Sequence, residues 1–450
     1  MQFVRVATTT VRLSLLRIGI GWMFALLAFN FNRVTIADLG AMGILVTSLI
    51  GLHHFLSPFQ VFWGRLADRY PLAGYRRTPY IAASALAGSL VFVVLPSLAV
   101  SLGNREPGAA LLAFGLFAVF GLAMAANGAT TFALIAEATT ERNRGGVVAV
   151  THTFTILSAI ISAGVAAAIM PIYDPQQMQV LYNLTPAIVL VSLLIALPGL
   201  EPRIARQQHA ALLAGGHLEP HGPNAFAVAL RLLRSNPQVR GFFLFMLLSI
   251  LGIFLQDAIL EVFGKEVFGM EVGETTRFTQ TWGGGVLLGM LLVAALTVFV
   301  NMPKKLLATL GGLGTAGGFA LITVAALSTL PDLVSPALFI MGLSIGVFNV
   351  GALSMMMEMA VEGHTGLYMG LWGMAQGIGT GLANILSGAL HTGLIESQLL
   401  APSVAYGLIF GMEGVLMVAA VAVLHGISVQ QFQYLDHTDI TATMALDSVT

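Results

Sequence analysis

Residues 64–100 read GRLADRYPLAGYRRTPYIAASALAGSLVFVVLPSLAV, a short basic loop that leads directly into an uninterrupted apolar run. The run over 79–100 holds no charged residue. A helix needs about 20 residues to cross the hydrocarbon core of a bilayer, so this run is long enough to span one. Charges are costly inside lipid, and here they are confined to the loop. The stretch is therefore typical of a helical membrane protein.

Twelve apolar runs of this kind occur along the chain. They lie near 15–36, 41–63, 79–100, 109–136, 146–170, 183–199, 238–261, 281–300, 306–329, 334–359, 367–392 and 403–425. The residues are 57% hydrophobic and 9% charged, whereas soluble domains carry about 25% charged residues. A mean hydropathy of +0.87 points the same way. We therefore predict an all-α membrane protein with twelve transmembrane helices.

The positions of the basic residues predict which loops face the cytoplasm. With the N-terminus inside, sixteen of the 20 Lys and Arg residues fall on the cytoplasmic side, as the positive-inside rule expects. The four exceptions are Arg33, Arg105, Lys265 and Arg277. This bias predicts an even number of spans, with both termini in the cytoplasm.

One long polar linker, 201–236, separates the sixth run from the seventh. We expect a six-helix bundle over 1–200, a second over 237–426 and a cytoplasmic tail over 427–450. The two halves also share a weak repeat at a fixed separation: Gly121-Leu122, Glu137, Glu141 and Gly145 recur as Gly342-Leu343, Glu358, Glu362 and Gly366. Two six-helix pseudo-repeats form a transporter architecture with the substrate between them. Coincidence is the alternative explanation of the repeat.

The loop over 64–79 resembles the signature loop of the major facilitator superfamily, a Gly-x-x-x-Asp-Arg stretch followed by a basic pair. A glycine there lets two helices approach closely, and the aspartate caps a helix or pairs with an arginine. In that superfamily the loop latches the two halves in one access state. The residues that carry these roles here are Gly64, Asp68, Arg69, Arg76 and Arg77. Plain anchoring of a basic loop in the cytoplasm is the alternative.

A narrower resemblance, to the bacteriochlorophyll delivery (PucC) family, runs through both halves. It rests on NRVTI at 32–36, SPFQ at 57–60, GYRRTPYI at 74–81, QDAILE at 256–261, VFGM at 267–270 and GGGVLLGM at 283–290. The resemblance implies a role in light-harvesting complex biogenesis in the inner, photosynthetic membrane. The partners it implies are a chlorophyll-type pigment, antenna polypeptides or reaction-centre assembly intermediates, and membrane lipid. Chlorophyll or bacteriochlorophyll is also the one candidate for a bound cofactor.

A pigment carrier has to offer an axial ligand to magnesium, and imidazole or an amide oxygen serves that role. The candidates are polar side chains at membrane depth: His53, His54, His152, Asn127, Gln256, Asn349 and Gln376. Adjacent residues point roughly 100° apart on a helix. We therefore expect one of His53 and His54 to face an interior cleft while the other packs on a neighbour. Hydrogen-bonded structural histidines, and amides that join helices, are the alternatives.

Three carboxyls in or beside the predicted spans bear on proton coupling. Glu413 lies deepest within its run, and Asp257 and Glu261 are one helical turn apart near the outer end of the seventh run. When the halves are aligned, Asp257 lies opposite Arg33. We therefore expect an Arg33–Asp257 ion pair that closes the outer side.

Two further acids close the fourth and tenth runs on the cytoplasmic side, Glu137 and Glu358. We expect them to pair with Arg142, Arg144 or the loop of Asp68 at a cytoplasmic gate. A proton relay through these carboxyls is the alternative.

Several function classes find no support in the sequence. The chain has no cysteine, which rules out disulfides and thiolate metal sites, and its net charge of −1 gives nucleic acid no basic surface. It has no Walker A sequence, so we expect no ATP-driven pump. It has no His-Glu-x-x-His pair and no recognisable spacing of a nucleophile and a base, so we expect neither a protein-held metal site nor an enzyme. Three functions stay open: a pigment-handling carrier or assembly factor, a proton-coupled secondary transporter of a small solute, and a non-transporting scaffold for antenna polypeptides.

Overall fold

The computed structural model is helical almost throughout and describes residues 2–203, 237–300, 302–359 and 365–428. Most of the predicted linker, the tail from 429 onward and Glu362 lie outside the described residues. Within the described ranges, β structure amounts to one isolated bridge between Leu72 and Tyr75 in the signature loop.

Seven α-helices make up the N-terminal part. They are α1 Gln2–Ala25, α2 Gly43–Phe55, α3 Phe59–Arg69, α4 Thr78–Gly103, α5 Ala109–Ala138, α6 Glu141–Ile169 and α7 Pro175–Ala196. The remaining described helices are α8 Pro237–Phe254, α9 Leu260–Phe268, α10 Val272–Phe299, α11 Lys304–Ser328, α12 Val334–Met359, α13 Thr365–His391 and α14 Pro402–His425.

The part of the chain that the structure describes has eleven helices long and apolar enough to cross a membrane. The bent pair of α2 and α3 makes a twelfth if it is counted as one span. The predicted all-α membrane fold is thereby confirmed. The boundaries differ most in the first span, predicted over 15–36, because the helical path there runs from Val6 to Asp38.

The second predicted span, 41–63, is broken in the structure. The axes of α2 and α3 meet at 43°, and the chain turns through Leu56, Ser57 and Pro58 between them. Proline has no N–H to continue a helical ladder, and its ring disfavours the helical conformation of the residue before it. The Ser57 N–H donates instead to the His54 carbonyl, 3.1 Å away, which closes the last turn of α2.

The first span ends in two π-helical segments, Leu26–Phe31 and Val34–Asp38. A π-turn brings residues five apart onto the same face, unlike the three-to-four spacing of an α-helix. Arg33 and Asp38 are five apart, and their side chains meet at 2.5 Å. The π geometry therefore creates a contact that ordinary helical spacing does not predict.

Contacts divide the chain into two compact units. The first comprises Met1–Gly216, Asp257–Gly283 and Asn384–Pro402, and the second comprises His217–Gln256, Gly284–Ala383 and Ser403–Thr450. The first unit includes the C-terminal end of α13 and the beginning of α10 together with the N-terminal helices. The division of the sequence into bundles over 1–200 and 237–426 stays a prediction.

In the first unit, α1 packs against α6 and α7, while α4 packs against α5 and α7. Buried aromatic rings fill the space between these helices. Phe92 lies edge-on to Phe120 with 5.7 Å between ring centroids, and Phe31 lies 5.9 Å from Phe117. This core fixes α2 and α5 beside α1, which positions the histidine pair of α2.

Among the described residues of the second unit, α11 and α12 pack extensively against each other. A methyl group at Gly311 would lie 2.3 Å from the backbone nitrogen of Phe348, and one at Gly289 of α10 would lie 2.1 Å from the Leu343 carbonyl oxygen. Only glycine fits such separations, so these two positions let the backbones approach as small residues do in membrane bundles.

Candidate functional site

The histidine pair lies in the last turn of α2 and forms the centre of the candidate pigment site. His53 is 7% exposed, and its ring centroid lies 5.3 Å from that of Phe24 and 5.4 Å from that of Phe120. The His54 ring lies 3.8 Å from the His53 ring and is half-buried. The two imidazoles thus form one small polar patch in an otherwise aromatic surrounding.

The hydrogen bond of His53 fixes the state of its ring. The Nδ1 atom lies 2.5 Å from the Ile50 carbonyl oxygen, and a carbonyl only accepts, so Nδ1 carries the proton and donates it. The lone pair then sits on Nε2, which is buried and has no hydrogen-bond partner among the described residues. A neutral imidazole oriented through one nitrogen and open at the other is the form in which histidine binds metals.

Asn127 on α5, a predicted pigment ligand, makes hydrogen bonds to a neighbouring helix instead. Its Nδ2 donates to the Ile81 carbonyl and to Ser84 Oγ on α4, both at 3.4 Å. Thr131 donates to its Oδ1 at 3.5 Å. These bonds tie α5 to α4, as amides that join membrane helices do.

The structure spreads the other ligand candidates over several helices. His152 is exposed on α6, and Gln376 is exposed on α13. Asn349 is half-buried on α12. Gln256 is 1% exposed in the short turn after α8, and its Oε1 has no partner among the described residues. Within the first unit, His53 and His54 are the two candidates in direct contact.

The signature loop is organised around Arg77, the residue that precedes α4. Its guanidinium lies 2.5 Å from Asp68 and 2.8 Å from Glu137 at the end of α5. Burial alone would lower the pKa of Arg77, but its hydrogen bonds and charge interactions with Glu137 and Asp68 outweigh burial and raise that pKa. The loop, α3 and α5 are thereby joined through one permanently charged side chain.

The glycine of the signature loop does not have the expected role. A methyl group added at Gly64 would meet open space, with no atom within 4 Å. Among the described residues no helix packs on that face of α3, so the close helix approach predicted at Gly64 is not seen there. Arg69, the other predicted loop residue on α3, is exposed, with its guanidinium 5.4 Å from the Tyr70 ring centre.

A residue that the sequence analysis missed, Glu201, holds the loop in place. It is 6% exposed, and its carboxylate accepts hydrogen bonds from the backbone N–H groups of Arg76, Arg77 and Thr78 at 2.7–3.2 Å. These N–H groups form the beginning of α4, where a helix favours a negative charge. Its position just after the sixth apolar run and before Pro202 was the available signal.

Of the two acids predicted to lie at a gate, Glu137 has one of its predicted partners, the loop of Asp68. Glu137 pairs with Arg77 of the Asp68 loop, while Arg144 donates to the Ala136 carbonyl at 3.2 Å. Glu358 falls within α12, but its side chain lies outside the part of the structure that is described.

The outer ion pair forms with a different acid from the one expected. Arg33 is fully buried, pairs with Asp38 at 2.5 Å and donates to the Met270 carbonyl at 3.0 Å. The expected Arg33–Asp257 pair is therefore replaced, because the π-turn places Asp38 on the same face as Arg33. Asp257 is half-buried in the turn before α9.

The two remaining acids are both deeply buried. Glu261 is 3% exposed and accepts a hydrogen bond from Thr279 Oγ1 at 2.9 Å. Glu413 is fully buried within α14. Buried carboxyls of this kind keep proton binding open as a role for either residue.

Comparison with known proteins places these features in a family. A family model described as PUCC protein matches residues 30–432. The chain is 29% identical over 422 residues to the "Bacteriochlorophyll synthase 44.5 kDa chain" of Rhodobacter capsulatus, which covers 92% of this chain and 94% of that protein. It is 28% identical over 427 residues to "Protein PucC" of Cereibacter sphaeroides, covering 92% and 91% of the two chains.

The fold also resembles solved transporter structures. The crystal structure of the nucleoside transporter NupG has a TM-score of 0.66 at 16% identity, covering 92% of this chain and 98% of that one. At this identity the likeness concerns the fold alone. Because the family model extends from the end of the first span to beyond the last, the chain belongs to the PUCC family of multi-pass integral membrane proteins.

Proposed function

We propose that the protein is a membrane carrier or assembly factor that handles chlorophyll or bacteriochlorophyll during light-harvesting complex biogenesis. Membership of the PUCC family and the transporter-type fold support this proposal. One relative is named as a chain of a bacteriochlorophyll synthase, but we propose a carrier for this chain and not an enzyme. Its proposed setting is the inner, photosynthetic membrane with both termini in the cytoplasm, where it meets antenna polypeptides or reaction-centre intermediates.

The single observation that carries the proposal is the free Nε2 lone pair of His53. Burying a polar atom without a partner is costly, so a native structure needs a reason to keep one. The magnesium of a chlorophyll-type macrocycle is already held by the ring nitrogens and accepts one axial ligand. A neutral imidazole, oriented by the Ile50 carbonyl, supplies such a ligand.

The surroundings of His53 favour a macrocycle over a bare ion. Among the described residues, no group of three or more His, Cys, Asp or Glu side chains is arranged to hold a metal ion. A metal at His53 therefore has to bring its other ligands with it. Phe24 and Phe120 lie beside the imidazole, and aromatic rings favour stacking against a flat apolar ring. Since Nε2 is buried, a ligand reaches it only when these rings move apart.

A proton-coupled secondary transporter is the second candidate, favoured by the buried carboxyls of Glu261 and Glu413. The two functions differ in what the protein carries and in whether pigment delivery fails without it. Proton uptake driven by a small solute in liposomes would favour the second.

The proposal is tested by deleting the gene in the native host and recording absorption spectra of its membranes. We expect antenna bands to fall at least severalfold and to return with the parent gene. A His53→Ala gene should restore them poorly, and His53→Gln should restore them better, because an amide oxygen also ligates magnesium. His152→Ala, at an exposed histidine, is the matched control and should restore them fully. Unchanged antenna bands after deletion would overturn the proposal.

A further inference from the structure

A second buried histidine, outside the candidate pigment site, lies between two carboxylates. His391 ends α13 and is 1% exposed. Its Nε2 lies 3.1 Å from both carboxylate oxygens of Glu266 on α9. Its Nδ1 lies 3.2 Å from Oε1 of Glu396, at the end of the π-helical segment Thr392–Glu396 that follows α13. All of these residues belong to the first compact unit.

This geometry specifies the charge of the ring. A neutral imidazole has one N–H, so its other nitrogen presents a lone pair, which repels a carboxylate. Carboxylates at both nitrogens are compatible with an imidazolium, in which both nitrogens donate. The position of His391 between Glu266 and Glu396 therefore favours a bound proton.

Two acidic side chains, Glu266 and Glu396, contact the ring. From α2, the neighbours of this cluster are Gly43, Ile44 and Thr47, none of which titrates. On α9, Lys265 lies beside Glu266 in sequence but pairs with Glu271 at 3.4 Å. The protonation of His391 is thus set by two carboxylates, one from α9 and one from its own segment.

The same cluster holds the beginning of α2. Oε1 of Glu396 accepts a hydrogen bond from the Gly43 N–H at 2.6 Å, and Thr392 Oγ1 accepts one from the Ile44 N–H at 3.0 Å. These N–H groups start a helix and have no intrahelical partner of their own. A methyl group at Gly43 would lie 2.6 Å from His391 Nδ1, so the ring is in direct contact with the helix start.

We infer that His391 is a proton-binding latch that fastens the end of α13 to the beginning of α2 on the predicted outer side. The protonated ring holds Glu396 in the position from which it caps α2. Loss of the proton turns one ring nitrogen into an acceptor that faces a carboxylate, and the contact is released. The latch is therefore closed at low pH and opens as pH rises, a property that goes beyond pigment handling and does not depend on it.

Labelling of a single introduced cysteine tests this latch, because the natural chain contains none. Thr47 is fully buried in α2, where it faces Gly388 of α13, and its hydroxyl has no partner among the described residues. Thr47→Cys is therefore a mild change that reports release of the latch. Ser328→Cys, exposed at the end of α11, corrects for ionisation of the thiol itself.

The two variants are reconstituted in lipid nanodiscs and reacted with a methanethiosulfonate reagent from about pH 6 to about pH 10.5, a range that extends well above ordinary histidine titration because two carboxylates flank the ring. We expect the labelling rate of Thr47→Cys, divided by that of Ser328→Cys, to rise at least about tenfold with pH, and we expect His391→Gln in the same background to abolish this rise. A flat ratio in Thr47→Cys alone would overturn the inference without any change to the histidine. The same rise in the His391→Gln background would overturn it as well.

Discussion

Arg77 shows how one side chain can organise the loop between α3 and α4. Its guanidinium reaches Asp68 and Glu137, and its planar fork suits contact with two carboxylates. Both partners are about half exposed, so solvent weakens each pair below the value for a fully buried one. The raised pKa keeps Arg77 charged throughout the physiological range, so its contribution to stability does not vary with pH there.

Replacing the Arg77 side chain should lower the free energy of unfolding more than replacing the Arg76 side chain. Arg77→Ala removes both pairs, and we expect the free energy of unfolding to fall by about 1–2 kcal/mol. Arg76→Ala is the matched control, because Arg76 reaches Glu201 through its backbone N–H and its side chain makes no ion pair among the described residues. Denaturant unfolding in detergent measures both. Equal losses in the two variants would contradict the role assigned to Arg77.

Residue types alone indicated the site in the signature loop, but not all of its hydrogen bonds and ion pairs. The motif at 64–79 directed attention to Asp68 and Arg77, and the structure joins them. Glu201 was not predicted, because its bonds to the beginning of α4 cross 123–125 positions of sequence. Arg33 was assigned to Asp257 from the alignment of the two halves, but the π-turn brings Asp38 to Arg33 instead.

At the scale of the element, the contact between α2 and α13 depends on Gly388, which has no side chain to separate the two helices. A methyl group at Gly388 would lie 1.9 Å from Thr47 Oγ1 and 2.8 Å from the Ile44 Cα. The Ile44 Cα belongs to the backbone, which does not yield as a flexible side chain does. The two helices thus touch backbone to backbone at this point, as membrane helices with small interface residues do.

Alanine at position 388 should force α2 and α13 apart. We expect Gly388→Ala to lower the free energy of unfolding by about 1–3 kcal/mol, the usual effect of overpacking a tight site. Gly393→Ala is its control a few residues on, where an added methyl group meets open space and has no atom within 4 Å. Thermal unfolding in detergent distinguishes them. A loss in Gly393→Ala as large as in Gly388→Ala would show that close contact is not the cause.

Helix existence was more predictable than helix continuity. Each apolar run of the sequence corresponds to helical structure, since a chain in lipid has to satisfy its backbone groups internally. Pro58 was a signal for a break in the second span, but the stretches on both sides of it are apolar, so the run was predicted as one continuous helix. The π-helical segments near Asn30 and Arg33 had no signal in the apolar pattern, because hydrophobicity does not indicate whether a backbone N–H bonds to the carbonyl four or five residues before it.

At the scale of the whole molecule, the surface is that of a protein in lipid. Large apolar side chains point outward along the spans, with Leu111 76%, Leu194 63% and Phe299 85% exposed. A soluble protein avoids broad apolar surfaces of this kind. The positive-inside bias adds the proposed orientation, with an even number of crossings.

The orientation predicts the behaviour of reporter fusions. A fluorescent protein fused after Thr450 should fluoresce, and alkaline phosphatase at the same point should be inactive, because both report a cytoplasmic terminus. Phosphatase inserted at Glu106, in the exposed turn between α4 and α5, should be active. An active phosphatase at Thr450 would imply an odd number of crossings and would contradict the twelve-span count.

Pigment binding is the central claim, and purification from pigmented membranes tests it most directly. The chain is isolated in mild detergent and its absorption spectrum is recorded beside those of His53→Ala and His152→Ala. We predict chlorophyll-type bands with the parent chain and with His152→Ala, reduced at least about fivefold in His53→Ala, as loss of an axial ligand requires. A colourless parent chain that co-purifies with antenna polypeptides would contradict pigment handling and would identify a scaffold instead.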